Sequence, residues 1–513
     1  MAVALPVPTA RHIRKELRLM RREHADLSVW EVLEKAYMWL IGLAVIGSMT
    51  GAAVARVADE VVSCGANACA VARGPMPVVV TLLLAGVLLR GLTAVGPVVA
   101  THADQAWLLS TPVERGGLLR GRYVLAVLAG CGPAAVVLVL ASTVAGADGV
   151  GIGTAALAGV ALAVAAAGLT TMAQPRPALR AFVTRAGDVL MLATLPILIA
   201  VVSGHPIGGS GWLDSSAVAA GAAALLVAAV LLVAVGGSRL ARLTLPEMVA
   251  GGELLLGLAG AASAMDIALI GEIVQARKFR LLGARPSRRG RGTGPSALLD
   301  RELRRLLRSP GRLVAFVALC IIPPVLHQAG LVSVVPIISG LIGYLAVRWA
   351  ASGLRRAWRS DGLRRSLPFP AGTLIYCLGG PASLLAIVWA VVASFSTELP
   401  PPLAVIAVAA AIIAGVLRSA CAKPPNYNGP LVTSPMGAIP PGMVSALVRG
   451  PDFALAGTVL LALHVPTFLQ LIVPLILLGI AVMMAGRAAS SGDREPLATR
   501  LAKAQEEAKK ARA

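Results

Sequence analysis

The chain has 513 residues, of which 57% are hydrophobic and 14% charged, and its mean hydropathy is +0.80. A soluble fold of this size could not hide so much apolar surface from water, so the bilayer is the expected solvent. The formal net charge of +21 would suggest nucleic acid in a soluble protein, but aromatics are only 4% and offer no stacking platform, so the basic residues read as loops facing anionic lipid and nucleic acid is not an expected partner.

Residues 11–22 place Ile13, Leu17 and Met20 on one helical face and Arg14, Lys15, Arg18 and Arg22 on the others. This predicts an amphipathic helix on the cytoplasmic leaflet, with Glu16, Leu17 and Arg18 as its centre. Residues 1–36 are too polar and too long for the n-region of a signal peptide, and no small-residue cleavage site follows the first apolar run, so no cleavable signal peptide is expected. Twelve apolar runs come next, at roughly 37–57, 76–100, 122–146, 150–173, 187–204, 216–237, 312–328, 331–350, 372–396, 402–420, 443–464 and 467–486. Each approaches the ~20 residues a helix needs to cross the hydrocarbon, and each must be helical because lipid bonds no backbone. Lys and Arg concentrate in alternate loops, which puts both termini in the cytoplasm.

The chain repeats itself. Glu302, Leu303 and Arg304 precede the seventh run as Glu16, Leu17 and Arg18 precede the first. After the second run of each set comes a polar loop with Asp, Leu and Pro in order. Asp104, Trp107, Leu108 and Pro112 form one copy, and Asp361, Leu363, Leu367 and Pro370 the other. Each loop predicts a short helix with an exposed apolar knob, stopped by proline, and such a knob calls for a partner surface. Arg185 with Asp188, and Arg449 with Asp452, recur at i,i+3 where the fifth run of each set begins; an ion pair along the helix and a gating contact are both open readings. Arg90 lies inside an apolar run, as a functional charge or as one that snorkels to the headgroups. No Asp or Glu is centred in a run, which speaks against an ion-coupled carrier.

The units are therefore 1–237, a first six-span half; 238–297, a cytoplasmic linker with an interfacial or re-entrant helix near 254–271; 298–486, a second six-span half; and 487–513, a charged cytoplasmic tail. Cys64 and Cys69 share the first external loop, where a disulfide would close it. His205, His327 and His464 fall in separate external loops without ligand spacing, so no metal is expected. No Lys is followed by Ser or Thr; without a P-loop, the chain is not expected to hydrolyse ATP.

The elbow helix, six spans per unit and a short helix in the loop after the second span resemble the permease subunits of ABC-2-type exporters. The phrase Trp107-Leu108-Leu109-Ser110-Thr111-Pro112-Val113-Glu114-Arg115 is similar to their coupling loop. The resemblance implies an all-α polytopic protein of twelve transmembrane helices in the bacterial cytoplasmic membrane. It also implies no catalytic residue and no bound cofactor, with ATP used by a separate, dimeric cytoplasmic ABC ATPase that docks on Asp104, Trp107, Leu108 and Pro112 and on Asp361, Leu363, Leu367 and Pro370. The exported substrate would be hydrophobic or amphipathic. The alternative is a twelve-span secondary carrier driven by an ion gradient.

Overall fold

The computed structural model describes residues 12–20 in part, 29–63, 74–111, 115–205, 216–263, 267–282, 291–397, 399–422, 432–434, 437–439, 448–463 and 465–491. Among them, ten helices are long and apolar enough to cross a bilayer, so the chain is a multi-pass membrane protein. Outside the helices, the described residues hold one two-stranded antiparallel ladder, β1 (Val432–Ser434) and β2 (Gly437–Ile439).

The first part runs α1 (Val29–Ser63), α2 (Met76–Val95), a short helix α3 (His102–Asp104, widening into a π turn over Gln105–Leu109), α4 (Arg115–Val144), α5 (Gly149–Ala173), α6 (Pro177–Leu192), α7 (Thr194–Val202) and α8 (Ser216–Ser238). Then come α9 (Leu245–Ser263) and α10 (Ile267–Leu282). The rest runs α11 (Pro295–Leu307), α12 (Pro310–Leu319), α13 (Ile322–Gln328), α14 (Val335–Val347), a 3-10 turn into α15 (Ser352–Arg359), α16 (Asp361–Arg365), α17 (Ala371–Ser394), α18 (Pro401–Ala420), α19 (Pro451–Ala462) and α20 (Thr467–Ser491).

Twelve spans were expected, and ten meet the required length. The 12-residue α19 rises only about 18 Å, against about 30 Å of hydrocarbon. In α1 the apolar portion is Ala36–Met49. The fifth span starts earlier than hydropathy suggests: α6 and α7 form one crossing over Pro177–Val202, because Pro177 at the first helical turn suits its fixed φ and missing N–H. Helices interrupt just before Pro196 and Pro323 but continue through Pro133, Pro381 and Pro474, where other helices and local adjustments satisfy the freed carbonyls.

In the first part, α2 packs on α4, α5 and α6, while α5 packs on α4 and α8. In the second part, α14 packs on α17, α18 and α19, while α18 packs on α17 and α20. Two cores result. One gathers Leu109, Leu119, Tyr123, Leu240 and Met248. The other surrounds Trp389, whose indole N–H donates to Ser339 Oγ at 3.1 Å and so satisfies its one polar atom. The parts also touch where α13 meets α7.

Candidate functional site

The loop after α2 is built by its own sequence. Thr101 caps α3 by accepting the Asp104 N–H at 3.1 Å, and the Asp104 carboxylate accepts the Thr101 N–H at 2.9 Å, a reciprocal capping box. Asp104 also binds Arg122 of α4 through two bonds of 2.7 and 2.8 Å. The Arg122 guanidinium holds the Asp104 carboxyl well below the usual carboxylate range, against the opposing effect of partial burial. Leu109 enters the core at 2% exposure, whereas Trp107 on the same turn stands 79% exposed. Leu108 is half-buried, so the knob is the indole alone. Pro112 lies outside the described residues.

The second loop is held differently. Ser360 caps α16 by accepting the Leu363 N–H at 3.3 Å, and Asp361 pairs within its own helix with Arg364 at 2.9 Å. Leu363 is 44% exposed. Leu367 packs against the core rather than projecting beside Leu363, and Pro370 immediately precedes the first turn of α17 without a side-chain cap bond.

The helix before the second set of spans, α11, turns a different face inward from the one its hydropathy suggests. The buried positions are Leu298, Glu302 and Leu306, while Leu303 is half-buried. Glu302, at 3% exposure, pairs with Arg305 at 2.6 Å, and Arg305 donates to the Ala350 carbonyl at 2.9 Å. Burial pushes the Glu302 carboxyl up. Arg304 pairs with Asp300 at 2.9 Å. This inward carboxylate anchors α11 to the turn that leads through α15 into α16. In the first copy, Glu16 is exposed and lies 3.8 Å from His12, while Leu17 and Arg18 lie outside the described residues.

The 238–297 segment, expected as a linker with one interfacial helix, contains the helix pair α9 and α10. Neither is among the ten candidate spans. On one side α9 grips the Trp107 loop. Met248 accepts the Ala100 N–H at 3.1 Å, and His102 Nε2 lies 2.6 Å from Glu253 Oε1. At Gly251 and Gly252 a side chain would meet the Val95 and Ala100 carbonyl oxygens at 2.0 and 2.1 Å, so only glycine admits this contact. On the other side α10 reaches the second part: Glu272 pairs with Arg355 at 3.7 Å and Arg359 at 3.3 Å, and Gln275 accepts from Arg312 at 3.1 Å. One helix pair thus bridges the supports of both loops. Its residues carry no motif, and contacts between residues 87 and 151 positions apart leave no periodic trace in sequence.

The repeated Arg-x-x-Asp phrases pair across helices. Asp188 forms its ion pair with Arg90 of α2 instead of Arg185, at a close approach of the two backbones: a side chain at Gly187 would lie 3.0 Å from the Gly86 carbonyl. With the fifth span beginning at Pro177, Asp188 sits well inside an apolar crossing, not at its start, and the sequence argument that no span holds a central carboxylate does not stand. Asp452 accepts the Gly450 and Phe453 N–H groups at 2.8 and 2.9 Å and binds Arg418 of α18 at 2.8 Å. Arg449 is half-buried just before this cap. Cys64 and Cys69 lie outside the described residues, and no group of three or more potential ligands that could hold a metal occurs among the described residues.

A comparison with curated proteins yields no match. The profile of a family of unknown function, DUF6297, matches residues 69–430, which take in α2 through α18 and both loops. The chain therefore belongs to DUF6297, a family of unknown function.

Proposed function

We propose that the chain is the transmembrane permease subunit of an ATP-driven exporter of the ABC-2 type. In this reading a separate cytoplasmic ATPase docks on the α3 and α16 loops, and its motion moves the spans to export a hydrophobic or amphipathic substrate. The observation that carries the reading is Trp107: an indole left 79% exposed on a short helix that is otherwise fixed by a capping box, an ion pair and a core leucine. A rigidly held, exposed aromatic is the kind of anchor a partner pocket takes. The matching packing orders of α2–α8 and α14–α20 support two like halves, and the bridging α9–α10 pair would keep the two docking loops in step. Both termini and both loops are then cytoplasmic.

The test is ATP turnover by a co-purified ABC ATPase. Turnover should depend on this chain and be lost in Trp107→Glu, with the melting temperature unchanged because the side chain is exposed. Transport driven by a proton gradient with no ATPase present refutes the proposal. That outcome would favour the second reading, an ion-coupled carrier, for which the ion pair of Asp188 with Arg90 inside the membrane is the specific support.

A further inference from the structure

Between the start of α6 and the α9–α10 pair lies a cavity of about 420 Å³ whose walls bring together Arg180, Arg277 and Arg280. It opens at the end of a membrane crossing, the level at which lipid headgroups lie. Two carboxylates share its wall, one fewer charge than the three guanidinium groups: Glu247 accepts from Thr244 Oγ1 at 2.8 Å, and Glu253 Oε1 lies 2.6 Å from His102 Nε2. No ion pair joins Arg180 or Arg280 to a carboxylate of the described residues. Arg277 donates to the Ala250 carbonyl at 3.0 Å, and its guanidinium is held below its ordinary value by burial and by the charges of Arg180 and Arg280, with Glu253 opposing. Three guanidinium groups against two carboxylates leave the cavity with a net positive charge, and their planar donor forks match phosphate oxygens.

The geometry points to a phosphate-binding site formed by Arg180, Arg277 and Arg280 against α9. Basic pockets beside membrane helices hold phospholipid headgroups by this chemistry, and a free phosphate group would use the same donors. The site does not depend on the transport reading. Its occupant would, however, sit one side chain away from the Trp107 loop, because Glu253 both lines the cavity and holds His102.

The experiment is thermal melting of the purified full-length chain in detergent, titrated with phosphatidylglycerol, phosphatidylcholine or inorganic phosphate. The wild type is expected to gain a saturable rise with phosphatidylglycerol. Apparent affinity should fall on the order of ten-fold or more in R180Q/R280Q, since two charged contacts are lost. The control R115Q/R120Q removes equal charge elsewhere and should respond as the wild type does. A response to inorganic phosphate as well assigns the site to free phosphate; a response to the lipid alone assigns it to the headgroup. R280Q alone, at an exposed position, should weaken binding in the same direction and keeps the test decisive if the double variant does not fold. No rise with either phosphate source, an equal rise with phosphatidylcholine, or an equal loss in the control overturns the proposal.

Discussion

Asp104→Ala removes a carboxylate that both caps α3 and ties it to α4. The side chain is 15% exposed and Arg122 41%, so the released guanidinium can recover water and the loss lies toward the low end for a charged hydrogen bond, about 1–2 kcal/mol. Losing the capping box adds about 1 kcal/mol. Together, about 2–3 kcal/mol corresponds to roughly a 30- to 150-fold rise in local opening. Amide hydrogen exchange over residues 101–109 reads this directly and should accelerate by that factor, while exchange in α17 and α18 stays unchanged. Asp104→Asn, which keeps an acceptor for Thr101, should show a smaller effect. The folded carboxyl titrates below its unfolded value, so its contribution is complete above the unfolded value near pH 4 and is lost only as pH falls below it. Unchanged exchange in Asp104→Ala would mean that the loop is held by Leu109 alone and that the ion pair is incidental.

Gly252→Val drives a side chain into the Ala100 carbonyl, 2.1 Å from the first added carbon, and should lower the melting temperature through overpacking of about 1–3 kcal/mol or more; Gly260→Ala, with open space around it, should not. In the α2–α6 seam, Arg90→Ala and Asp188→Ala should each destabilise more than the double variant does, because each single change strands one charge inside the crossing; melting of all four proteins completes the cycle. Glu302 carries a raised carboxyl value, so the folded state holds its proton more tightly and stability falls as pH rises from the unfolded value of about 4.3 through the higher folded one. Glu302→Gln should flatten that slope in melting curves taken across the acid range.

Much of this protein was legible as a string. Hydropathy and the 3.6-residue period are local properties, so the membrane as solvent and ten of the crossings follow from composition and order alone. The polar loop ending in proline gave the short helix with Trp107 and Leu108 as its apolar knob; that Thr101 and Asp104 close a capping box and that only Trp107 stays exposed came from the structure. Tertiary packing decided what lies between helices. Nothing in the Arg-x-x-Asp phrases tells that Asp188 turns to Arg90 and Asp452 to Arg418, since the choice depends on which helix stands nearby and at what depth. Hydropathy puts Leu303 on the inward face of α11, yet Glu302 is buried because Arg305 and the Ala350 turn receive it. The linker reads as a cytoplasmic segment with one interfacial or re-entrant helix, and only the fold shows α9 and α10 joining the two loops, because contacts across more than eighty residues are set by where the chain returns in space and leave no local pattern.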